Sequence, residues 1–235
     1  MPDSLTVPAA FNGPQRSGNG GYAAGALAAF VGEPAEVSLR SPVPLDTELR
    51  VAREADGSVR TFDGETLVCE GRGSGDLDLE VPEPVSVNEA RRATARYRGL
   101  TDGEFCRCFV CGKARDDSFG VFAGEVDGRE LVASTWTPPS WTEGEDGHVR
   151  SELIWAVLDC PTYFATHMEG ELSAAMLARM SAEVVAPVEV GVEHVAIGWP
   201  IEIDGRKQHA GSALFSADGE LLASARALMI EPRQV

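Results

Sequence analysis

Ser41-Pro42-Val43-Pro44-Leu45-Asp46-Thr47-Glu48 returns later in the chain as Ala186-Pro187-Val188-Glu189-Val190-Gly191-Val192-Glu193, with Pro42 displaced to Pro187 and Glu48 to Glu193 by the same interval. Two further echoes keep the same order. Asp63-Gly64-Glu65 precedes an apolar strand in one half, and Asp218-Gly219-Glu220 precedes Leu221-Leu222-Ala223 in the other. Ahead of both, a Gly-rich or polar loop runs into an apolar helical stretch: Asn19-Gly20-Gly21 into residues 22–31, and Arg150-Ser151-Glu152 into residues 153–164. Recurrence in constant order marks an internal duplication, so the chain reads as two structural units.

Residues 20–31 are small or apolar all round, which predicts a helix buried on most faces with Asn19 as its N-cap. Strands are expected at about 35–41, 46–55 and 65–72, separated by the turn signals Asp56-Gly57 and Asp63-Gly64. A stretch rich in Gly, Asp, Glu and Pro over 71–87, followed by a short polar helix at 89–98, sets the domain organisation. An N-terminal unit covers 1–80, a linker 81–100 and a C-terminal unit 101–235. A hairpin around Asp127-Gly128, a helix from near Arg150, and strands near 174–186, 189–199, 207–216 and 220–230 fill the second unit. Each half is a long helix followed by an antiparallel meander, an arrangement that is stable when the sheet wraps its apolar face around the helix.

A chain of 235 residues that is 43% hydrophobic and 24% charged fits neither a disordered segment nor a fibre. Its formal charge of −17 is spread along the sequence and opposes adhesion to nucleic acid or anionic lipid. No apolar run reaches the roughly 18 residues of a membrane helix. Met1-Pro2-Asp3-Ser4 lacks the basic start and apolar core of a secretion signal, so a cytoplasmic location is expected, with neither membrane nor nucleic acid as a partner. The cysteines are odd in number, Cys106, Cys108 and Cys111 in a cluster and Cys69 and Cys160 elsewhere; they read as reduced thiols, not a disulfide framework. Cys-x-x-Cys is half of a structural zinc site, but no second pair or His follows at zinc-ribbon spacing, so no metal is expected.

This layout resembles the double hot-dog members of the acyl-CoA thioesterase superfamily, nearest to the thioesterase II type. The resemblance is carried by Asn19-Gly20-Gly21, similar to the family's His/Asn-Gly-Gly, and by the helix at 153–165 with its Leu158-Asp159. The Pro-Val strand entries at Pro42 and Pro187 and the closing Ser216-Ala217-Asp218-Gly219-Glu220-Leu221-Leu222-Ala223 also match. It implies an α+β double hot-dog, two units each with an antiparallel sheet wrapped around a long helix, the first lacking the leading hairpin of the second. It further implies hydrolysis of a small-molecule acyl thioester, with no cofactor beyond the coenzyme A moiety of the substrate, and it allows a homodimer. A non-catalytic hot-dog protein that binds an acyl thioester or serves as an assembly partner is the alternative. A dehydratase would need a catalytic His that neither helix start offers.

The resemblance also places a carboxylate eight residues after the first glycine of the Gly-Gly pair. That position is Ala28 in the first half, whereas in the second Asp159 stands eight residues after Ser151. Each half thus keeps a different part of one site. Unsatisfied N–H groups at a helix start polarise a carbonyl, so Gly20 and Gly21 are expected as oxyanion donors, Asp159 as base or nucleophile, and Thr162 as a partner for water or thioester. Gln15, Asn19, Tyr22, Arg150, Ser151 and Trp155 are candidate substrate-binding residues. A helix entry that needs glycine, and an Asp that caps a helix broken at Pro161, would explain the same residues without catalysis. For coenzyme A phosphates the candidates are Arg91, Arg92, Arg96 and Arg98, or Arg206 and Lys207, with solvated surface as the other reading.

Overall fold

The structure, a computed structural model, describes residues 4–32, 34–99, 103, 105–169 and 171–233. Residues 1–3, on which the reading of the chain start rests, and the unit limits expected at 1, 100–101 and 235 lie outside the described residues. In chain order the elements are β1 (Ser4–Thr6), α1 (Gly20–Val31), β2 (Ala35–Leu39), β3 (Glu48–Arg53), β4 (Val59–Asp63), β5 (Thr66–Gly73), α2 (Val87–Thr94), β6 (Gly124–Glu125), β7 (Val132–Trp136), α3 (Ser151–Ala165), β8 (Met176–Val184), β9 (His194–Asp204), β10 (Lys207–Ser216) and β11 (Leu221–Ile230). All strands join one sheet in the order β1-β3-β4-β5-β2-β8-β11-β10-β9-β7-β6. The run β3-β4-β5-β2 is mirrored by β9-β10-β11-β8. The two units meet edge to edge at β2–β8, where Ala35 lies opposite Ala182 and Val37 opposite Met180. This is a double hot-dog, with α1 and α3 as the two wrapped helices. The hairpin β6–β7 ahead of α3 has only the three-residue β1 as its counterpart ahead of α1.

The sequence repeat becomes a repeat of hydrogen bonds. Arg40 N and Ser41 N both donate to Val68 O, and Val185 N and Ala186 N both donate to Leu222 O. Val43 O accepts from Gly18 N at 2.9 Å, and Val188 O accepts from Val149 N at 2.9 Å, so in each unit the Pro-Val entry pins the chain just ahead of the helix start. Both valines are buried. Turn glycines fall where the Asp-Gly pairs place them, with positive φ at Gly57, Gly64, Gly128, Gly205 and Gly219. One strand absent from the sequence reading, β4, fills the short segment between the first two turns. The segment read as a linker is a packing element. Ala90 and Ala93 of α2 join Val195, Ile197 and Trp199 of β9 in a second core on the outer face of the sheet, opposite α3.

Asn19 caps α1 by accepting from Tyr22 N at 2.8 Å, and Gly32, at φ 95°, closes its C-terminus by donating to Ala28 O. In α3 every residue over 153–165 is buried. Pro161 does not end the helix: α3 runs four residues past it, and the close pass of β9 at Gly198, whose added Cβ would sit 2.4 Å from Pro161 O, covers that turn. The two helices are antiparallel and touch through glycine. A Cβ on Gly25 would lie 2.7 Å from Glu152 Cα and 2.8 Å from Trp155 Cβ. Gly25→Ala should therefore destabilise the protein by about 1–3 kcal/mol in urea denaturation despite alanine's better helix propensity, because backbone has to move. Gly73→Ala, with open space around the added atom, should stay within about 0.5 kcal/mol of the parent. Equal effects of the two changes would show that the helix contact tolerates a methyl group.

Candidate active site

The start of α1 and the middle of α3 meet, which brings the glycine loop to Asp159 as the sequence pairs them. Gly21 N donates to Asp159 Oδ2 at 2.9 Å, and the Asn19 side-chain amide stands beside that carboxylate and favours its charged form. The contact is direct. It depends on glycine: a Cβ on Gly21 would lie 2.6 Å from Asp159 Cβ and 2.5 Å from Trp155 O. Asp159 is 7% exposed, and burial pushes its carboxyl up to about 7, opposed by the Gly21 N–H and reinforced by the neighbouring Cys108. Gly20 N, the first amide of the helix, has no hydrogen-bond partner among the described residues, and Gly20 lines the adjoining cavity. An unpaired N–H at the positive end of a helix is suited to an oxygen that carries partial negative charge.

The cavity holds about 630 Å³, within the usual range for small-molecule sites, and both units build it. Asn19, Gly20 and the Arg40–Val43 strand exit come from the first unit; Asp159, Cys160, Tyr163 and the Ala175–Ala178 segment come from the second. Its walls are largely apolar. The arginines that line it among the described residues are Arg16 and Arg40, the latter paired with Glu70. The arginines proposed from sequence are engaged elsewhere. Arg91 pairs with Glu193, Arg96 with Asp127, Arg98 donates to His167 O, and Arg206 donates to Glu231 O.

Several sequence candidates fall outside this cavity. Thr162 is fully buried, and its hydroxyl donates to Asp159 O at 2.6 Å, so it secures the helix backbone and does not face a ligand. Gln15 is exposed and reaches Gly103 O and Cys106 Sγ. Tyr22 stacks on Phe11, with ring centroids 4.3 Å apart, and contacts Arg150 and Glu152; burial pushes its hydroxyl up to about 12. Trp155 is core. Arg150 and Ser151 line a second recess of about 570 Å³ at the opposite end of the helix pair, together with His148, Glu152 and residues 184–188. Nine helical residues separate positions 150 and 159, about 13 Å, which is why these groups cannot join Asp159. That recess is the counterpart of the cavity, but Ala28 stands where it would need a carboxylate, and Glu152 is paired with Arg150 at 2.9 Å. Of the ten candidates, Asp159, Gly20, Gly21 and Asn19 converge.

The convergence missed from sequence is one of thiols. Cys108 and Cys111 line the cavity on a turn that docks on the first unit through Phe109 N to Asn12 O and Asn12 Nδ2 to Arg107 O, both at 3.0 Å. Cys160, the neighbour of Asp159, completes a buried cluster with them. All five cysteines are free thiols. Among the described residues, no helix is long and apolar enough to cross a membrane.

No family model and no curated protein matches this chain. Among solved structures, a conserved protein of unknown function with a hot dog fold from Alicyclobacillus acidocaldarius superimposes over 99% of this chain and 93% of its own, with a TM-score of 0.62 at 10% identity. That likeness spans both units and shows the double hot-dog fold. A thioesterase superfamily protein aligns with 52% of this chain at 24% identity and a TM-score of 0.47; the match spans 61% of its length, about three fifths. The E. coli PaaI protein from the phenylacetic acid degradation operon aligns with 52% of this chain and 87% of its own, at 12% identity and a TM-score of 0.46.

Asn19 holds the site together twice, as cap and as amide donor. Asn19→Ala should cost about 1 kcal/mol in urea denaturation, the usual loss for a cap. Asn19→Ser, which keeps an acceptor for Tyr22 N, should lose less. If both variants lose the same amount, the capping bond is not what the side chain contributes.

Proposed function

We propose that this chain is a thioesterase-like hydrolase that cleaves an acyl-CoA thioester at a single composite site between its two units. The observation that carries this reading is the pairing of Asp159 with the N-terminal amides of α1 inside a cavity built by both units. The thioester oxygen would take a hydrogen bond from Gly20 N–H, where the helix dipole favours developing negative charge. Asp159 would accept a proton from a water that adds to the carbonyl carbon, or would itself attack that carbon. With water as nucleophile, collapse of the tetrahedral intermediate breaks the carbon–sulfur bond and releases the carboxylic acid and the thiol, which takes the proton. With Asp159 as nucleophile, collapse releases the thiolate, which is protonated from solvent, and leaves a mixed anhydride on Asp159 that water then hydrolyses to the acid. Arg16 and Arg40 at the cavity wall are the cations positioned to meet phosphates of a coenzyme A carrier. Arg150 and Ser151 have no part in this scheme, since they lie at the other end of α3, and Tyr22 and Trp155 are taken up in ring stacking and core packing.

One observation favours a second reading, that of a module binding acyl thioesters without turnover. The Gly21 amide is already satisfied by Asp159, which leaves one amide for an oxyanion. Activity against a panel of acyl-CoAs of graded chain length, run beside Asp159→Asn, separates the two. Hydrolysis should fall by about 10²-fold or more in the variant while its fold, read by circular dichroism, persists. Binding of acyl-CoA without hydrolysis by the parent would establish the module reading. Hydrolysis undiminished in Asp159→Asn would remove Asp159 from the chemistry.

A further inference from the structure

Sequence spacing pairs Cys108 with Cys111 and offers no third ligand; the fold supplies one from α3. The Sγ atoms of Cys108, Cys111 and Cys160 all lie within 4.8 Å of one another, and Cys108 Sγ and Cys160 Sγ are 3.9 Å apart. Three thiolates held at about 2.3 Å from a tetrahedral zinc ion are spaced by about 3.8 Å, close to the separation seen here without any ion. A disulfide would need a sulfur–sulfur distance of about 2.05 Å and would strand the third thiol.

The turn that carries Cys108 and Cys111 is built around one sulfur. Backbone N–H groups of Val110 and Cys111 point at Cys108 Sγ, and Asn19 Nδ2 approaches it at 3.9 Å. Donors aimed at a sulfur fix its direction, as the hydrogen-bond partners of metal ligands do. Gly112 makes the turn feasible: a Cβ there would lie 2.5 Å from Cys108 N and 2.6 Å from Cys106 O. Cys106 stands outside the cluster, in contact with Gln15 Nε2. The three clustered cysteines all line the cavity, so the side of the cluster away from the turn and the helix opens on ligand space.

We infer that Cys108, Cys111 and Cys160 form a site for a soft divalent cation, zinc, bound by three thiolates with its fourth coordination position open to the cavity. Thiolate ligands select zinc over hard cations such as magnesium or calcium. Binding releases thiol protons to solvent, and the ion clips the 108–112 turn to α3. The site stands independently of the hydrolase reading, because occupancy is measured with no thioester present.

Reduced, metal-free protein is titrated with cobalt(II) as a spectroscopic probe. The expected result is one equivalent bound, with a thiolate-to-cobalt charge-transfer band and the visible bands of four-coordinate geometry, both lost on adding one equivalent of zinc. In competition with a chromophoric chelator, Cys160→Ser and Cys111→Ser should each weaken zinc binding by more than about 100-fold, while Cys106→Ser leaves it unchanged. Absence of the charge-transfer band in the parent protein overturns the inference, as does a Cys160→Ser variant that binds zinc like the parent. Should a ligand variant fail to fold, the parent alone decides: a protein that takes up no cobalt when reduced, and forms a Cys108–Cys111 disulfide in air, contains a thiol pair and no metal site.

Discussion

Gly21 and Gly25 are where α1 and α3 approach nearly backbone to backbone, and the site exists because nothing larger than hydrogen occupies those two positions. The distances of 2.5–2.8 Å that an added Cβ would make to Trp155, Asp159 and Glu152 leave no room for adjustment by side-chain rotation, since the obstructing atoms are backbone or Cβ. The helices are antiparallel, so this contact sets the N-terminus of α1 against the middle of α3. Asp159 reaches the Gly21 amide as a consequence of helix packing, and the sheet seam at β2–β8 holds the same geometry from the other side. Fold and site therefore rest on one contact.

The duplication was legible because its repeated residues do repeated work. Pro42-Val43 and Pro187-Val188 each start a segment whose valine carbonyl anchors a helix entry, and such local roles leave a mark at fixed spacing. The α1 limits, the Asp-Gly turns and the complementary survival of Gly20-Gly21 and Asp159 were readable for the same reason. What the sequence hid is non-local. Cys160 lies 49 positions from Cys111 and joins it only because α3 passes beneath the cysteine turn. Arg150 and Ser151 were grouped with Asp159 by belonging to the same helical stretch, but a helix spreads its residues along an axis, and these fall at its other end, while Tyr22 and Trp155 sit near the site but are engaged in stacking and core packing. Arg16 and Arg40 sit on a loop and a strand end with no pattern to mark them.

The two ends of the helix pair show how a duplicated fold comes to hold one site. At one end a carboxylate faces a glycine start. At the other, Ala28 faces a start made of Arg150, Ser151 and Glu152, whose ion pair already occupies the recess. Glu152 in the first turn also satisfies the dipole of α3 from within, so a ligand's negative charge gains little there. Losing the carboxylate from one copy and the glycines from the other are complementary changes. Both fall at the same end, which is left inert, and the opposite end stays intact.

Electrostatics accounts for the donors that crowd the remaining site. A carboxylate and three thiols are buried within one cavity wall of a chain whose formal charge is −17, and every ionised member disfavours the next. Cys108 is pushed down and Cys111 and Cys160 are pushed up, chiefly by the sulfurs beside them. The amides of Gly21, Val110 and Cys111 and the side chain of Asn19 supply partial positive charge without adding a titrating group. Among the described residues that line the cavity, the full positive charges are Arg16 and Arg40, away from the amide donors.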